Sequence, residues 1–151
     1  MQKEFDNILV GLIPEGETAL LAVSGGADSI CMAELFAHSS WKGNIAVAHC
    51  NFHLRGEESN ADAELVRCWA ASHGVAFHSV DFDTERYASE HSQSIEMAAR
   101  ELRYDWFASL CLKHGYYAVS VAHNANDNAE TLMLNLLRGT GLRGITGMKP
   151  V

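Results

Sequence analysis

The residues Ser24-Gly-Gly-Ala-Asp-Ser29 combine the side chains needed to hold a phosphate. Gly25 and Gly26 permit a tight turn and let a ligand approach bare backbone. The N–H groups of such a turn, through Ala27 to the start of a following helix, attract an anion. Ser24 and Ser29 add hydroxyl donors. Asp28 is the odd member, because a carboxylate beside a phosphate is repelled unless a cation such as Mg²⁺ lies between them. An ordinary glycine turn with Asp28 and Ser29 capping a helix would look similar. The apolar run before the loop and the helical pattern after it favour phosphate binding. GxxxxGKS/T is absent, as is GxGxxG, which sets aside the two commonest glycine-rich nucleotide loops.

Other chemistry-bearing residues cluster in three further segments. Arg100 and Arg103 are one helical turn apart, so both can reach one site, although on spacing alone they read as a pair of surface arginines. Asp127 and Glu130 fall in the first turn of a predicted helix. There they could simply favour the helix dipole, worth about 0.3–1 kcal/mol. His53 and Arg55 sit in a polar loop after an apolar run. His123 is as well explained by a hydrogen-bonded structural role as by proton transfer. His38, His73, His78, His91 and His114 match no pattern and receive no role.

These segments need elements to position them, and the chain supplies an alternation. Residues 2–12 carry Phe5, Ile8, Leu9 and Leu12 at helical spacing. Residues 18–23 (TALLAV) form a continuous apolar run, expected of a strand buried on both faces of a parallel sheet. A helix over 30–38 follows the glycine turn. Further strands are predicted over 45–50, 75–80 and 117–122. Helices are predicted from Ser59 to about His73, over 84–89, over 95–113 and over 127–138. Asp62 and Glu64 would lie near the positive end of the Ser59 helix. Ser94 caps the 95–113 helix, whose Ile95, Ala99, Leu102, Trp106 and Leu110 read as one apolar stripe. Gly74, Gly115 and Gly139 end helices. Strand–helix alternation implies right-handed βαβ units and an α/β, doubly wound parallel sheet. Ligands sit beyond the carboxyl ends of such strands, where the segments above fall.

Composition sets the bounds. A chain of 151 residues suits one domain, and 48% hydrophobic with 20% charged residues is a globular balance. The four cysteines, Cys31, Cys50, Cys68 and Cys111, form no CxxC or Cys/His cluster and read as small buried hydrophobes in a reducing, cytoplasmic setting. No secretory segment opens the chain and no apolar run is long enough for a membrane span. The net charge of −8 opposes nucleic-acid binding by the acidic body as a whole. Yet Arg55, Arg100, Arg103, Arg138 and Arg143, five of the 11 basic residues, fall in or near the segments singled out, so a local basic lip is possible.

SGGxDS after a strand resembles the PP-loop of the N-type ATP pyrophosphatases, a Rossmann-like adenine nucleotide alpha hydrolase fold. That superfamily cleaves ATP between the α- and β-phosphates and activates a substrate oxygen as its adenylate. The segments HCNFHLRGEES (49–59), SIEMAARELRY (94–104), AHNANDNAET (122–131), RGTG (138–141) and GMKP (147–150) follow in the order and spacing of the tRNA(Ile)-lysidine synthetases. The resemblance covers roughly residues 18–150.

It implies that ATP adenylates O2 of the wobble cytidine in a minor isoleucine tRNA, and that the ε-amine of free lysine then displaces AMP. By resemblance, Arg103, with Arg100, would neutralise charge at the α-phosphate. Asp127 would complete a Mg²⁺ site with Asp28 or orient the lysine amine, with Glu130 beside it. His53 would lie beside the nucleotide and the incoming base. Adenine would be read by backbone near Ala22 and the end of the second strand. The chain departs from the family's His-His-x-Asp-Asp, having His123-Asn124-Ala125-Asn126-Asp127, so roles needing charge at 124 and 126 do not carry over. Residues 1–151 are expected to be the N-terminal catalytic domain of a longer protein whose remaining part grips the tRNA. Whether it is a monomer or a homodimer stays open.

Two other functions compete. A PP-loop base thiolase needs a sulfur-carrying cysteine or an Fe–S cluster on paired cysteines. A non-catalytic adenine-nucleotide binder needs the glycine turn but not the set Asp28, Arg103 and Asp127.

Overall fold

The computed structural model describes residues 2–124 and 132–138. Its order is α1 (Gln2–Leu12), β1 (Thr18–Ala22), α2 (Ala27–Ala37), β2 (Asn44–Asn51), α3 (Glu57–His73), β3 (Ala76–Asp81), α4 (Thr84–Glu90), α5 (Ile95–His114), β4 (Ala118–Asn124) and β5 (Leu132–Arg138). The strands form one sheet in the order β3-β2-β1-β4-β5. The first four run parallel, with Leu20 opposite Ala46 and Val119. The expected doubly wound α/β arrangement is therefore present.

Alternation along the strands divides the core in two. Leu21 and Val47 face Phe5 and Leu9 of α1, Met32 and Phe36 of α2, and Val66 and Trp69 of α3. Leu20, Ala46, Ala48 and Val119 face Tyr104, Phe107, Ala108 and Cys111 of α5. Because β1 is covered on both faces, Ala19, Leu20 and Leu21 are fully buried, which is why its sequence reads as an unbroken apolar run. The chain passes from β1 outward to β2 and β3, then returns to the other side of β1 as β4. That reversal opens a crevice at the carboxyl ends of β1 and β4, where ligands bind in such sheets.

Caps behave as their residues require. The Ser94 hydroxyl accepts from Met97 N–H, and Gly74 and Gly115 end their helices in left-handed backbone. Three expectations are corrected. The buried stripe of α5 is Ala98, Tyr104, Phe107, Ala108, Leu110 and Cys111, so of the expected stripe Leu110 is buried, while Ile95 is 38% exposed and Ala99, Leu102 and Trp106 are half-buried. The sheet accepts large aromatics from one helix face, and apolar pattern alone misjudged that face by a fraction of a turn. Residues 132–138, expected in a helix, form β5, antiparallel to β4 with Val119 opposite Leu137. Pairing with the otherwise open edge of β4 overrides the helical propensity of the leucines. Cys68 is exposed on α3 rather than buried.

Candidate active site

The loop between β1 and α2 carries the phosphate-binding pattern, and its geometry is held from within. Gly25 has φ +100°, a conformation open to glycine. Ser29 Oγ donates to the Gly26 carbonyl at 2.9 Å and accepts from Gly25 N–H at 3.1 Å. Ser24 Oγ accepts from Gly26 N–H at 3.3 Å and lies 3.2 Å from Ser29 Oγ. The two serines thus shape the turn, and the N–H groups of Gly25 and Gly26 are spent inside it. This refines the expectation that the turn amides face an anion. The donors left for a ligand are the first-turn amides of α2, beginning at Ala27. Gly26, extended at φ −74°, offers them no side-chain cap. Ser24, Gly26 and Ala27 are exposed, Asp28 is half-buried in the first turn, and Ser29 is buried.

A cavity of about 90 Å³ opens beside this loop. Ala22, Ser24 and Ser29 form one wall, Cys50 and Phe52 a second, and Arg103 reaches in from α5. Arg103 Nε is buried with no hydrogen-bond partner among the described residues. Its Nη2 donates to the Tyr104 hydroxyl at 3.4 Å, and its guanidinium carbon lies 4.9 Å from the centre of the Tyr104 ring. A buried donor without a partner costs free energy unless a ligand supplies an acceptor. Burial pushes the Cys50 thiol up to about 12, partly opposed by the Arg103 charge. The thiol in the cavity is therefore protonated at neutral pH, unsuited to carry sulfur as a nucleophile.

Loop and helix α3 are locked together. Asp62, on α3, forms an ion pair with Arg55, and Arg55 N–H donates to Ser59 Oγ at 3.1 Å. The expected dipole role of Asp62 is taken instead by Glu57 and Glu58 in the first turn.

His53 does not reach the loop cavity. Its backbone has φ +55°, its Nε2 lies 2.8 Å from Asp81 Oδ1, and it lines a separate cavity of about 430 Å³ with Asp81, Asp83 and Glu85. The neighbouring Phe52 occupies the position expected of it. His53 lies past the end of β2 in left-handed rather than extended backbone, and the pattern HCNFHLRG does not reveal which of the two residues reaches the loop cavity. Arg100 lies on the same face of α5 as Arg103, its guanidinium carbon 5.5 Å from the Tyr104 ring centre. Both arginines line a third, open cavity of about 450 Å³ with Phe52, Glu96, Met97 and Ala99. Asp127 and Glu130 lie outside the described residues, as do Arg143 and Gly139. Among the described residues no group of three His, Cys, Asp or Glu could hold a metal. A lone Asp28 still fits Mg²⁺, which takes one or two carboxylates and fills its remaining positions with phosphate oxygens and water.

A family profile described as a PP-loop domain matches residues 1–151. Among curated proteins, the tRNA(Ile)-lysidine synthase of Porphyromonas gingivalis strain W83 is 51% identical over 138 residues, covering 91% of this chain and 30% of the relative. That of Bacteroides thetaiotaomicron is 47% identical over 131 residues, covering 87% and 30%. The chain thus spans about 30% of the length of these relatives. Among solved structures, the U34-tRNA thiolase NcsA of Methanococcus maripaludis superposes with a TM-score of 0.63 at 14% identity, over 81% of this chain and 45% of the other. An NH3-dependent NAD synthetase of Campylobacter jejuni gives 0.57 at 16% identity, over 78% and 52%. These two likenesses speak to the fold alone.

Proposed function

Because this chain belongs to the PP-loop domain family, we propose that it is the ATP-using catalytic domain of an enzyme that ligates free lysine to C2 of the wobble cytidine of a minor isoleucine tRNA. The observation that carries the reading is a cavity lined by Ser24 and Ser29, which flank the glycine turn at the start of α2, and by Arg103, whose buried Nε has no partner among the described residues. That arrangement suits a triphosphate whose α-phosphate gains charge during reaction. The named relatives supply the choice among PP-loop chemistries, and the protonated Cys50 weighs against thiolation.

The first-turn amides of α2, with Ser24 and Ser29 shaping the approach, hold the pyrophosphate portion. Arg103 stabilises charge at the α-phosphate while cytosine O2 attacks it and pyrophosphate leaves. The lysine ε-amine then attacks C2, and AMP departs with the former O2. Mg²⁺, held by Asp28 and by Asp127 as the resemblance implies, would offset phosphate charge. Ala22 lies at the cavity wall where backbone can read adenine.

The experiment is retention of labelled lysine on an unmodified minor isoleucine tRNA, with ATP and Mg²⁺, against the same tRNA carrying U for the wobble C. Wobble-C-dependent labelling with AMP release is the expected result. Labelling absent from the whole protein, or ADP as the product, would sink the reading.

A further inference from the structure

Resting on that function, we infer that Glu96 reads the substrate base: its carboxylate accepts a hydrogen bond from the exocyclic amine of cytosine, seated in the open cavity beside the nucleotide site. The cavity, about 450 Å³, shares Phe52 and Arg103 with the loop cavity. Whatever fills it therefore lies alongside the phosphate that Arg103 would hold.

Its lining has the chemistry of a nucleotide site. Phe52, Met97 and Ala99 supply an apolar bed for a flat ring, and Met97 is 56% exposed on the first turn of α5. Arg100 and Arg103 supply cations on a chain whose net charge is −8, which is charge complementarity toward RNA phosphates at this patch. Among the described residues, Glu96 is the single anion of the lining. Its place in the first turn of α5 suits the helix dipole, yet beside RNA phosphates it would also repel, and a donor on the base would offset that repulsion.

Spacing provides one. Residues 96, 100 and 103 fall on one stripe of the helix, and seven residues separate its ends by ~10 Å. Cytosine carries O2 and the N4 amine at opposite ends of its pairing edge. With O2 turned toward Arg103, where adenylation occurs, the amine is turned toward Glu96. An ionised carboxylate only accepts hydrogen bonds, so it matches the amine of cytosine and opposes the O4 carbonyl of uracil. Arg100, between them, is suited to the phosphates flanking the base.

The test is a cycle of two changes: Glu96→Ala in the protein, and wobble cytidine replaced by the pyrimidin-2-one ribonucleoside, which lacks only the amine. Lysine transfer is measured as kcat/KM for all four combinations. Removing the amine should cost the unaltered protein roughly tenfold to a hundredfold. Glu96→Ala should cost a similar factor on cytidine and shrink the penalty for removing the amine to what the amine's electron donation to O2 contributes, so the combined loss is smaller than the product of the two. Glu96→Gln, whose amide oxygen still accepts, should keep part of the preference. The KM for ATP should be unchanged in both variants, because Glu96 does not line the loop cavity. If Glu96→Ala discriminates as strongly as the unaltered protein, the assignment of Glu96 is overturned while the lysidine function stands. If the unaltered protein transfers no lysine to cytidine, both fall together.

Discussion

Gly25 and Asp62 are in contact so close that a β-carbon on Gly25 would meet Asp62 Cβ at 2.9 Å. The phosphate loop is thus backed by α3 through an ion-paired residue, with Arg55 on the far side of the carboxylate. Glycine is required at position 25 twice over, for its φ of +100° and for this contact. Gly25→Ala is expected to cost about 1–3 kcal/mol from backbone strain alone and to abolish ATP binding. Adding Asp62→Gly relieves the contact but not the strain, so stability should recover only in part. Thermal melts with and without ATP measure both, and full recovery in the double variant would show that the contact alone demands glycine.

Arg103 combines a buried Nε with access to two cavities. Arg103→Ala should lower kcat by about 10²–10³ while leaving the fold intact. Arg103→Lys should recover little, because an ammonium lacks the planar fork. A variant that loses only ATP affinity, with kcat preserved, would reassign Arg103 to ground-state binding.

Asp28 is half-buried in the first turn of α2, where no side-chain cap bond depends on it. Asp28→Ala should therefore abolish turnover with little change in melting temperature. Unfolding of this variant would make Asp28 a structural residue and remove it from the Mg²⁺ site.

Cys50 and Cys68 should react very differently. The Cys50 thiol is held up to about 12 by burial, whereas Cys68 is exposed on α3. Iodoacetamide at pH 8 should label Cys68 and leave Cys50 unmodified, as read by peptide mass spectrometry. Fast alkylation of Cys50 would reopen sulfur chemistry at the cavity.

His78 sets a pH dependence at the opposite end of α5. Its Nε2 lies 2.7 Å from the Tyr116 hydroxyl, its ring packs on His114, and Lys113 is nearby. Burial first, then the charges of His114 and Lys113, lower its pKa below the ordinary 6.5. The folded state therefore binds this proton less readily than the unfolded one. The resulting stability is complete above about pH 6.5 and is lost as pH falls through the lowered value. Melting temperature should decline on acidification below pH 6.5, and His78→Gln should flatten that decline. An identical slope in the variant would place the titrating group elsewhere.

The parallel strands were legible because burial on both faces leaves a mark in sequence: TALLA has no polar residue inward or outward except its leading threonine. The helix caps were legible because Ser94, Gly74 and Gly115 act through local backbone geometry. The phosphate loop was legible for the same reason. What required three dimensions was the facing of side chains. Phe52 and His53 are adjacent, and only the end of β2 decides which enters the cavity. The α5 face was misphased because Ile95 and Leu102 are apolar without being core, while the small Ala98 and Ala108 are core. Asp62 behind Gly25 is a contact between segments far apart in the chain, and neither residue advertises it.

Phe52 borders all three cavities, stacking on Phe82 at 5.7 Å. One ring is thus a party wall among three rooms. A partition of fixed volume cannot retreat from one without intruding on another. Occupants on its two sides then sense each other through borrowed space, in addition to the Arg103 charge that two of the rooms share.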